Sequence, residues 1–205
     1  VLGVDLARFG EDDSVVYINR NGRCRKLETW SKATAVESAN RVHRVAIENG
    51  IKEVRVDATG LGGPVVDILA NLAENKYVVI SMLGSAASPD KMRWLNARAH
   101  IYDELREAMV EGKIDLDPDD KSLLDEMLMI QYKFTPKGAI QIESKDDMRS
   151  RGVKSPDSLD ALTYASADLS HIVNSKYGDK KAGDMVSFNY NILDAKFPFY
   201  SQWQW

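Results

Sequence analysis

The sequence predicts an α/β domain built on a mixed central sheet of five or more strands, the first three antiparallel and the later ones parallel, with helices flanking it. Three observations carry that prediction. The chain opens on three apolar segments of strand length, the second and third joined through Arg20-Asn21-Gly22-Arg23, and Asn-Gly between apolar runs is the strongest short hairpin signal. From residue 34 to residue 82, helix and strand patterns alternate, which places the later strands parallel to their neighbours. Apolar strand patterns at the start of the chain and at 51–57 each carry an aspartate where a core residue is expected, an expensive placement unless the acid has a partner.

Taken in order, Val1-Leu2-Gly3-Val4-Asp5-Leu6-Ala7 is the first strand, and residues 15–19 and 25–30 are the second and third. Thr34-Ala35-Val36-Glu37 fits a capping box, and Val36, Ala39, Val42 and Ala46 repeat at helical spacing until Gly50. Residues 51–57 form a buried strand. Gly60-Leu61-Gly62-Gly63-Pro64 then leads into a helix with Val65, Ile68, Leu69 and Leu72 inward, followed by a strand at 77–82. A polar loop at 85–90 precedes a helix at 96–111 with Ile101, Leu105, Ala108 and Met109 on one face. Asp117-Pro118 is read as the start of a further helix, with Leu123, Leu124, Met127 and Leu128 inward. Segments 132–135 and 139–142 flank Pro136-Lys137-Gly138 as a second hairpin, and helices at 144–151 and 156–169 follow. Residues 1–170 form the expected domain. Residues 171–205, where Lys, Gly, Asp and Asn interleave with aromatics, show no regular element and are expected to be a tail, mobile, wrapped back or docking through its Trp and Tyr side chains.

Composition narrows the function classes. With 205 residues, 44% hydrophobic, the chain can bury a sizeable core. No run of about 18 apolar residues and no basic-then-apolar leader is present, so the expectation is a soluble cytosolic protein. Cys24 is the single cysteine, and His43, His100 and His171 show no ligand spacing, which argues against an internal disulfide and a Cys/His zinc site. A net charge of −4 excludes a strongly basic nucleic-acid coat protein but leaves room for a local basic patch.

The chemistry lies in the acids. Asp5 and Asp57 each sit at a strand-to-turn junction, and Lys154-Ser155-Pro156-Asp157-Ser158-Leu159-Asp160-Ala161-Leu162 opens a helix with two acids three apart. Brought together, Asp5, Asp57, Asp157 and Asp160 make an all-oxygen cluster of the kind hard divalent cations require. Each acid has a blander reading: Asp5 as a hydrogen-bonded turn acid, Asp57 as the cap of the following loop, Asp157 as a favourable charge behind a Ser155 N-cap. The order of the elements favours the cluster.

That order resembles the ribonuclease H-like nucleases. More narrowly, Val4-Asp5-Leu6-Ala7-Arg8-Phe9-Gly10-Glu11-Asp12, Val56-Asp57-Ala58-Thr59-Gly60-Leu61-Gly62 and Ser155-Pro156-Asp157-Ser158-Leu159-Asp160-Ala161-Leu162 are similar to the nuclease motifs of the large terminase subunits of tailed bacteriophages, over residues 1–169. The resemblance implies a metal-dependent endonuclease that cuts concatemeric double-stranded viral DNA during genome packaging in the host cytoplasm, partnered by the portal, the small terminase subunit and an ATPase domain of the same polypeptide. The chain lacks an initiator Met and a Gly-x-x-x-x-Gly-Lys-Ser/Thr phosphate loop, so it is expected to be the nuclease domain without its motor. Two Mg²⁺ or Mn²⁺ ions, about 3.5–4 Å apart, would serve the attacking and leaving oxygens. Asp5 would bridge them, Asp57 and Asp157 would hold one side each, and Asp160 would be a ligand or its support. Arg8, Lys145, Arg149, Arg151 and Lys154 are the candidate DNA contacts, with a solvated helix face as the bland alternative for the last four. Three other readings remain: a Holliday-junction resolvase-like nuclease, an actin- or Hsp70-like nucleotide-binding domain resembling Val1-Leu2-Gly3-Val4-Asp5, and a noncatalytic assembly module.

Overall fold

The computed structural model describes residues 1–7, 12–169 and 185–187. Eight strands are present in that set: β1 (Leu2–Asp5), β2 (Ser14–Arg20), β3 (Arg23–Trp30), β4 (Glu53–Asp57), β5 (Val78–Met82), β6 (Tyr132–Phe134), β7 (Ile140–Ile142) and β8 (Met185–Ser187). The helices are α1 (Ala35–Glu48), α2 (Gly62–Ala73), α3 (Ala97–Val110), α4 (Lys121–Met129), α5 (Lys145–Ser150) and α6 (Asp157–Ser166). Six strands form one sheet in the order β3-β2-β1-β4-β5-β8, antiparallel through β3, β2 and β1 and parallel from β1 onward. The mixed sheet and its direction change at β1 therefore match the expectation. The strand β8 does not: it pairs with β5 from within the stretch read as irregular, while the rest of 170–205 lies outside the described residues.

Local chemistry explains the framework. Asn21 and Gly22 take φ of 53° and 90°, the left-handed values of a two-residue hairpin turn. The capping box at α1 is complete: Glu37 N–H donates to Thr34 Oγ1 at 3.2 Å and Thr34 N–H to Glu37 Oε2 at 2.8 Å. Period-two alternation then divides the sheet into two faces. Leu2, Val4, Val16, Ile18, Val54, Val56 and Val79 pack under α1 and α2, whereas Val15, Tyr17, Ile80 and Met82 pack under α3, α4 and α6.

Four expectations about the helices need correction. The helix after Pro118 begins only at Lys121, because the Asp120 carboxylate accepts from Leu123 N–H at 3.2 Å and serves as the cap. That short helix buries Leu123 alone: Leu124 and Leu128 are 41% and 81% exposed. Val36 of α1 is likewise exposed, and the buried face of that helix is Ser38, Ala39, Val42, Val45 and Ala46. Lastly, α6 stops at Ser166 rather than 169. The buried Arg55 guanidinium on β4 donates to the carbonyls of Tyr164, at 2.9 Å, and Ala167, at 2.5 Å, and so closes the helix end.

One contact brings α6 onto the sheet. A Cβ at Gly3 would lie 2.1 Å from the Ala161 carbonyl oxygen and 2.3 Å from the Ala165 nitrogen, so only glycine lets β1 and α6 approach this closely. This seat fixes how near the acids of α6 come to the end of β1.

Candidate metal-binding acidic site

Asp5 ends β1 and Asp57 ends β4, and the two strands are parallel neighbours with Val4 paired to Val56. Both acids consequently leave the sheet at the same end and on the same face, towards α6. Asp157 and Asp160 lie in the first turn of α6, and Asp5, Asp157 and Asp160 are all buried.

The four acids are held by different means. Asp57 accepts from Thr59 N–H at 2.9 Å and from the Tyr164 hydroxyl at 3.1 Å. Asp157 accepts from Asp13 N–H at 3.0 Å, which ties the β1–β2 connection to α6. Asp160 is the most enclosed. Its Oδ1 accepts from Tyr102 at 2.5 Å and from Arg98 at 3.2 and 3.3 Å, and Arg98 also donates to the Glu143 carbonyl at 2.6 Å.

At the centre lies Lys145, the first residue of α5. Its ammonium is 3.0 Å from Asp5 Oδ2, 3.1 Å from Asp160 Oδ2 and 3.4 Å from Asp157 Oδ1. Burial lowers the affinity of this amine for its proton, but Asp5, Asp160 and Asp157 together raise its pKa well above the ordinary lysine value. Burial pushes the Asp5 carboxyl well above the usual range, with Lys145 opposing and the neighbouring acids adding to the shift. Burial acts on Asp160 in the same direction, yet Arg98, Lys145 and the Tyr102 hydroxyl outweigh it and hold that carboxyl below its ordinary value. Burial thus dominates at Asp5, whereas pairing with Arg98, Lys145 and Tyr102 dominates at Asp160.

Among the described residues, no three carboxylates are arranged as a ready-made metal cage. The donor chemistry nevertheless fits a hard cation. Three carboxylates converge on one positive charge, the acid–acid repulsion is only partly relieved by it, and Asp57, which has no ion pair among the described residues, stands at the adjoining strand end. An ion bound among these acids would have Asp5, Asp57 and Asp157 as ligands, with Lys145 displaced or shared. Asp160, engaged by Arg98 and Tyr102, is better placed to orient than to coordinate.

The candidate DNA contacts divide. Lys145, expected beside the acids, lies inside the cluster. Arg149 pairs with Asp12 and Asp146, and Arg151 forms a two-pronged pair with Glu143 at 2.7 Å. Lys154 makes no ion pair with the described residues and lines a groove of about 370 Å³ together with Lys26, Asp12, Asp13 and Asp157. Arg8 lies outside the described residues. Ser155, read as the cap of α6, does not act as one: Pro156 takes the cap position without a side-chain bond, and Ser155 Oγ is buried with no partner among the described residues. Glu126 of α4 takes over, its Oε2 accepting from Leu159 N–H at 2.7 Å.

Arg98, Tyr102, Tyr164 and Glu126 are not distinguishable by sequence, because each sits in an ordinary helical pattern. Only the unusual polarity of Arg98 and Tyr102 on one face of α3 is a signal, and a weak one.

No family model matches this chain, and no curated protein matches it. Solved structures do. It is similar to the nuclease domain of the large terminase subunit gp2 of bacterial virus Sf6, with a TM-score of 0.71 and 21% identity over 82% of this chain and 87% of that one. A mutant of that domain, with manganese and beta-thujaplicinol, gives a TM-score of 0.72 at 20% identity over the same shares. The large terminase nuclease of thermophilic phage G20c, with bound magnesium, gives 0.60 at 20% identity over 80% of this chain and 78% of that one. The chain thus has the ribonuclease H-like fold of the nuclease domains of phage large terminase subunits.

Proposed function

We propose that this chain is a metal-dependent endonuclease that cuts double-stranded viral DNA during genome packaging. The observation that carries the reading is the convergence of Asp5, Asp157 and Asp160 on a single ammonium beside Asp57, at one end of a sheet whose fold is shared with terminase nucleases solved with manganese and with magnesium.

In this reading Asp5 is the central ligand, because it alone lies between the strand-borne Asp57 and the helix-borne Asp157. Asp57 and Asp157 hold the two flanks, and the Thr59 N–H and Tyr164 hydroxyl orient Asp57. Asp160 fixes Lys145 and, through Arg98, the backbone before α5. These acids would hold Mg²⁺ or Mn²⁺, two ions in the proposed active state, which would supply Lewis-acid charge to the scissile phosphate and acidify the attacking water. When a phosphodiester enters, Lys145 is close enough to the acids to give its charge to a phosphate oxygen instead.

Lys154, which lines the groove beside Asp157, together with Arg149 and Arg151, would contact phosphates, and such contacts carry no sequence information. By the same resemblance the portal, the small terminase subunit and the ATPase domain are the partners, and the host cytoplasm is the site of action. No described helix is long and apolar enough to cross a membrane.

The test is cleavage of linear and supercoiled duplex DNA with Mg²⁺ or Mn²⁺ and with a chelator. Cleavage that needs the metal and is lost in Asp157→Asn is expected; undiminished cleavage in EDTA sinks the proposal. Preferential cutting of a four-way junction would move the protein to the resolvase class.

A further inference from the structure

We infer that Glu126 of α4 is a positioning residue for the first turn of α6, holding Asp157 at the place where it meets Asp5 and Lys145. The inference rests on the metal-site reading above.

A helix start leaves backbone N–H groups without intrahelical partners, and a buried one left unpaired is destabilising. In α6 the neighbouring residues provide no remedy. Pro156 has no capping side chain, Ser155 Oγ makes no hydrogen bond with the described residues, and Ser158 and Leu159 are 3% exposed, so water is not an easy substitute. The Leu159 N–H is the third of the helix, the one a Ser, Thr or Asp cap normally receives. Here the acceptor comes from 33 residues away in sequence, and Glu126 also faces the Ser158 N–H and hydroxyl.

The helix that carries Glu126 is itself anchored. Its cap, Asp120, is bonded by the Tyr17 hydroxyl from β2 and by the Lys26 ammonium, at 2.8 Å, from β3, and Leu123 is buried beneath it. A rigid path thus runs from the sheet through Asp120 and α4 to the turn bearing Asp157. The other restraints on Asp157 are a loop N–H, from Asp13, and the partly exposed Lys145. Neither bonds the backbone of the turn, as Glu126 does at Leu159 N–H. Removing a group that orients a metal ligand weakens metal binding without removing a ligand.

The experiment compares Glu126→Ala, Glu126→Gln and wild type, with Mn²⁺ as the probe. Calorimetry should show a Mn²⁺ dissociation constant raised roughly 10–100-fold in Glu126→Ala. The half-saturating Mn²⁺ for cleavage should rise by the same factor, and the rate at saturating Mn²⁺ should return towards wild type. Glu126→Gln keeps an oxygen for the Leu159 N–H and should bind Mn²⁺ close to wild type. A Glu126→Ala protein with wild-type Mn²⁺ affinity overturns the inference whatever its melting temperature, since the carboxylate would then serve stability alone. Where Glu126→Ala does not fold, Glu126→Asp, one methylene short of the Leu159 N–H, takes its place: weakened Mn²⁺ binding supports the inference and unchanged binding overturns it. Asp157→Asn is the control that separates the two levels. Undiminished Mn²⁺ binding there defeats the metal-site reading itself, whereas loss there with no effect at Glu126 defeats only the positioning role.

Discussion

Along β1 and β4, successive residues go to opposite faces of the sheet, and the two faces differ in kind. Leu2, Val4, Val54 and Val56 enter a dry core under α1 and α2, fully buried and apolar. Gly3, Asp5, Arg55 and Asp57, one residue out of phase, meet α6, where they make a close backbone contact, a charged cluster and a helix closure. Burial is similar on both faces for most of these positions, so burial does not distinguish them; the fate of the charge does. The first face is stabilised by removing apolar surface from water, a term that tolerates small changes of shape. The second keeps ionised groups out of water at a cost that is recovered only if every partner is present. A functional site on this fold is therefore expected on the expensive face, next to the direction change at β1.

The sharpest way to break the comparison is to mutate both faces of one strand. Asp57→Asn should reduce cleavage by at least ~10²–10³-fold with little change in melting temperature. Val56→Ala, its neighbour on the dry face, should lower stability by about 2 kcal/mol and leave metal-dependent cleavage intact. If Val56→Ala were as inactive as Asp57→Asn, the division between the faces would be false.

Lys145→Ala tests whether the ionic face is truly short of positive charge. Leaving Asp5, Asp157 and Asp160 facing one another should cost about 3 kcal/mol in a chelator, and added Mn²⁺ should raise the melting temperature more than it does in wild type. An unchanged apo melting temperature would show that the acids relax by taking up a proton instead.

A smaller effect is expected at Asp160. Because Arg98 and Tyr102 occupy one of its oxygens, Asp160→Asn should weaken metal affinity roughly 10–100-fold yet leave cleavage measurable at high Mn²⁺. Should Asp160→Asn be dead at saturating Mn²⁺ while Asp157→Asn cleaves, the roles of the two acids are exchanged.

The smallest effect is expected at Asp103 of α3, which pairs with Arg93 and Arg106 apart from the acids. Burial works against the Asp103 carboxylate, but hydrogen bonds from Trp94 and Arg106 and the charges of Arg106 and Arg93 hold its pKa below the ordinary 3.8. A depressed pKa gives stability that is present above the unfolded value and lost as pH falls through the folded one. Wild type should therefore exceed Asp103→Asn by about 1–2 kcal/mol at neutral pH, with the gap closing below about pH 4. A gap independent of pH would assign the effect to packing.

Much of the framework was legible because it rests on local rules. The Asn21-Gly22 turn, the Thr34–Glu37 box and the alternation of the strands each act within a few residues, and the structure has them where the pattern puts them. The pattern failed where a distant group outweighed the local one. Asp120 displaced the expected helix start because Tyr17 and Lys26 hold it; Arg55 ended α6 early; Glu126 replaced Ser155 as its cap. The inward reading of Leu124 and Leu128 failed because periodicity reports that a helix is amphipathic over a span, not how much of a nine-residue helix has something to pack against.

The sequence by itself determined that aspartates end two strands and open a late helix, and that those strands lie in one mixed sheet, because hydrophobic period and turn chemistry are written locally. Only the tertiary structure decided what surrounds those acids. That Lys145 stands among them rather than beside them, that Asp160 is bound by Arg98 and Tyr102, and that Asp57 leans on Tyr164 follow from how closely α6 sits on Gly3 and how α3 and α5 close over it. Electrostatic partnership depends on distances across the fold, which residue spacing along the chain does not encode.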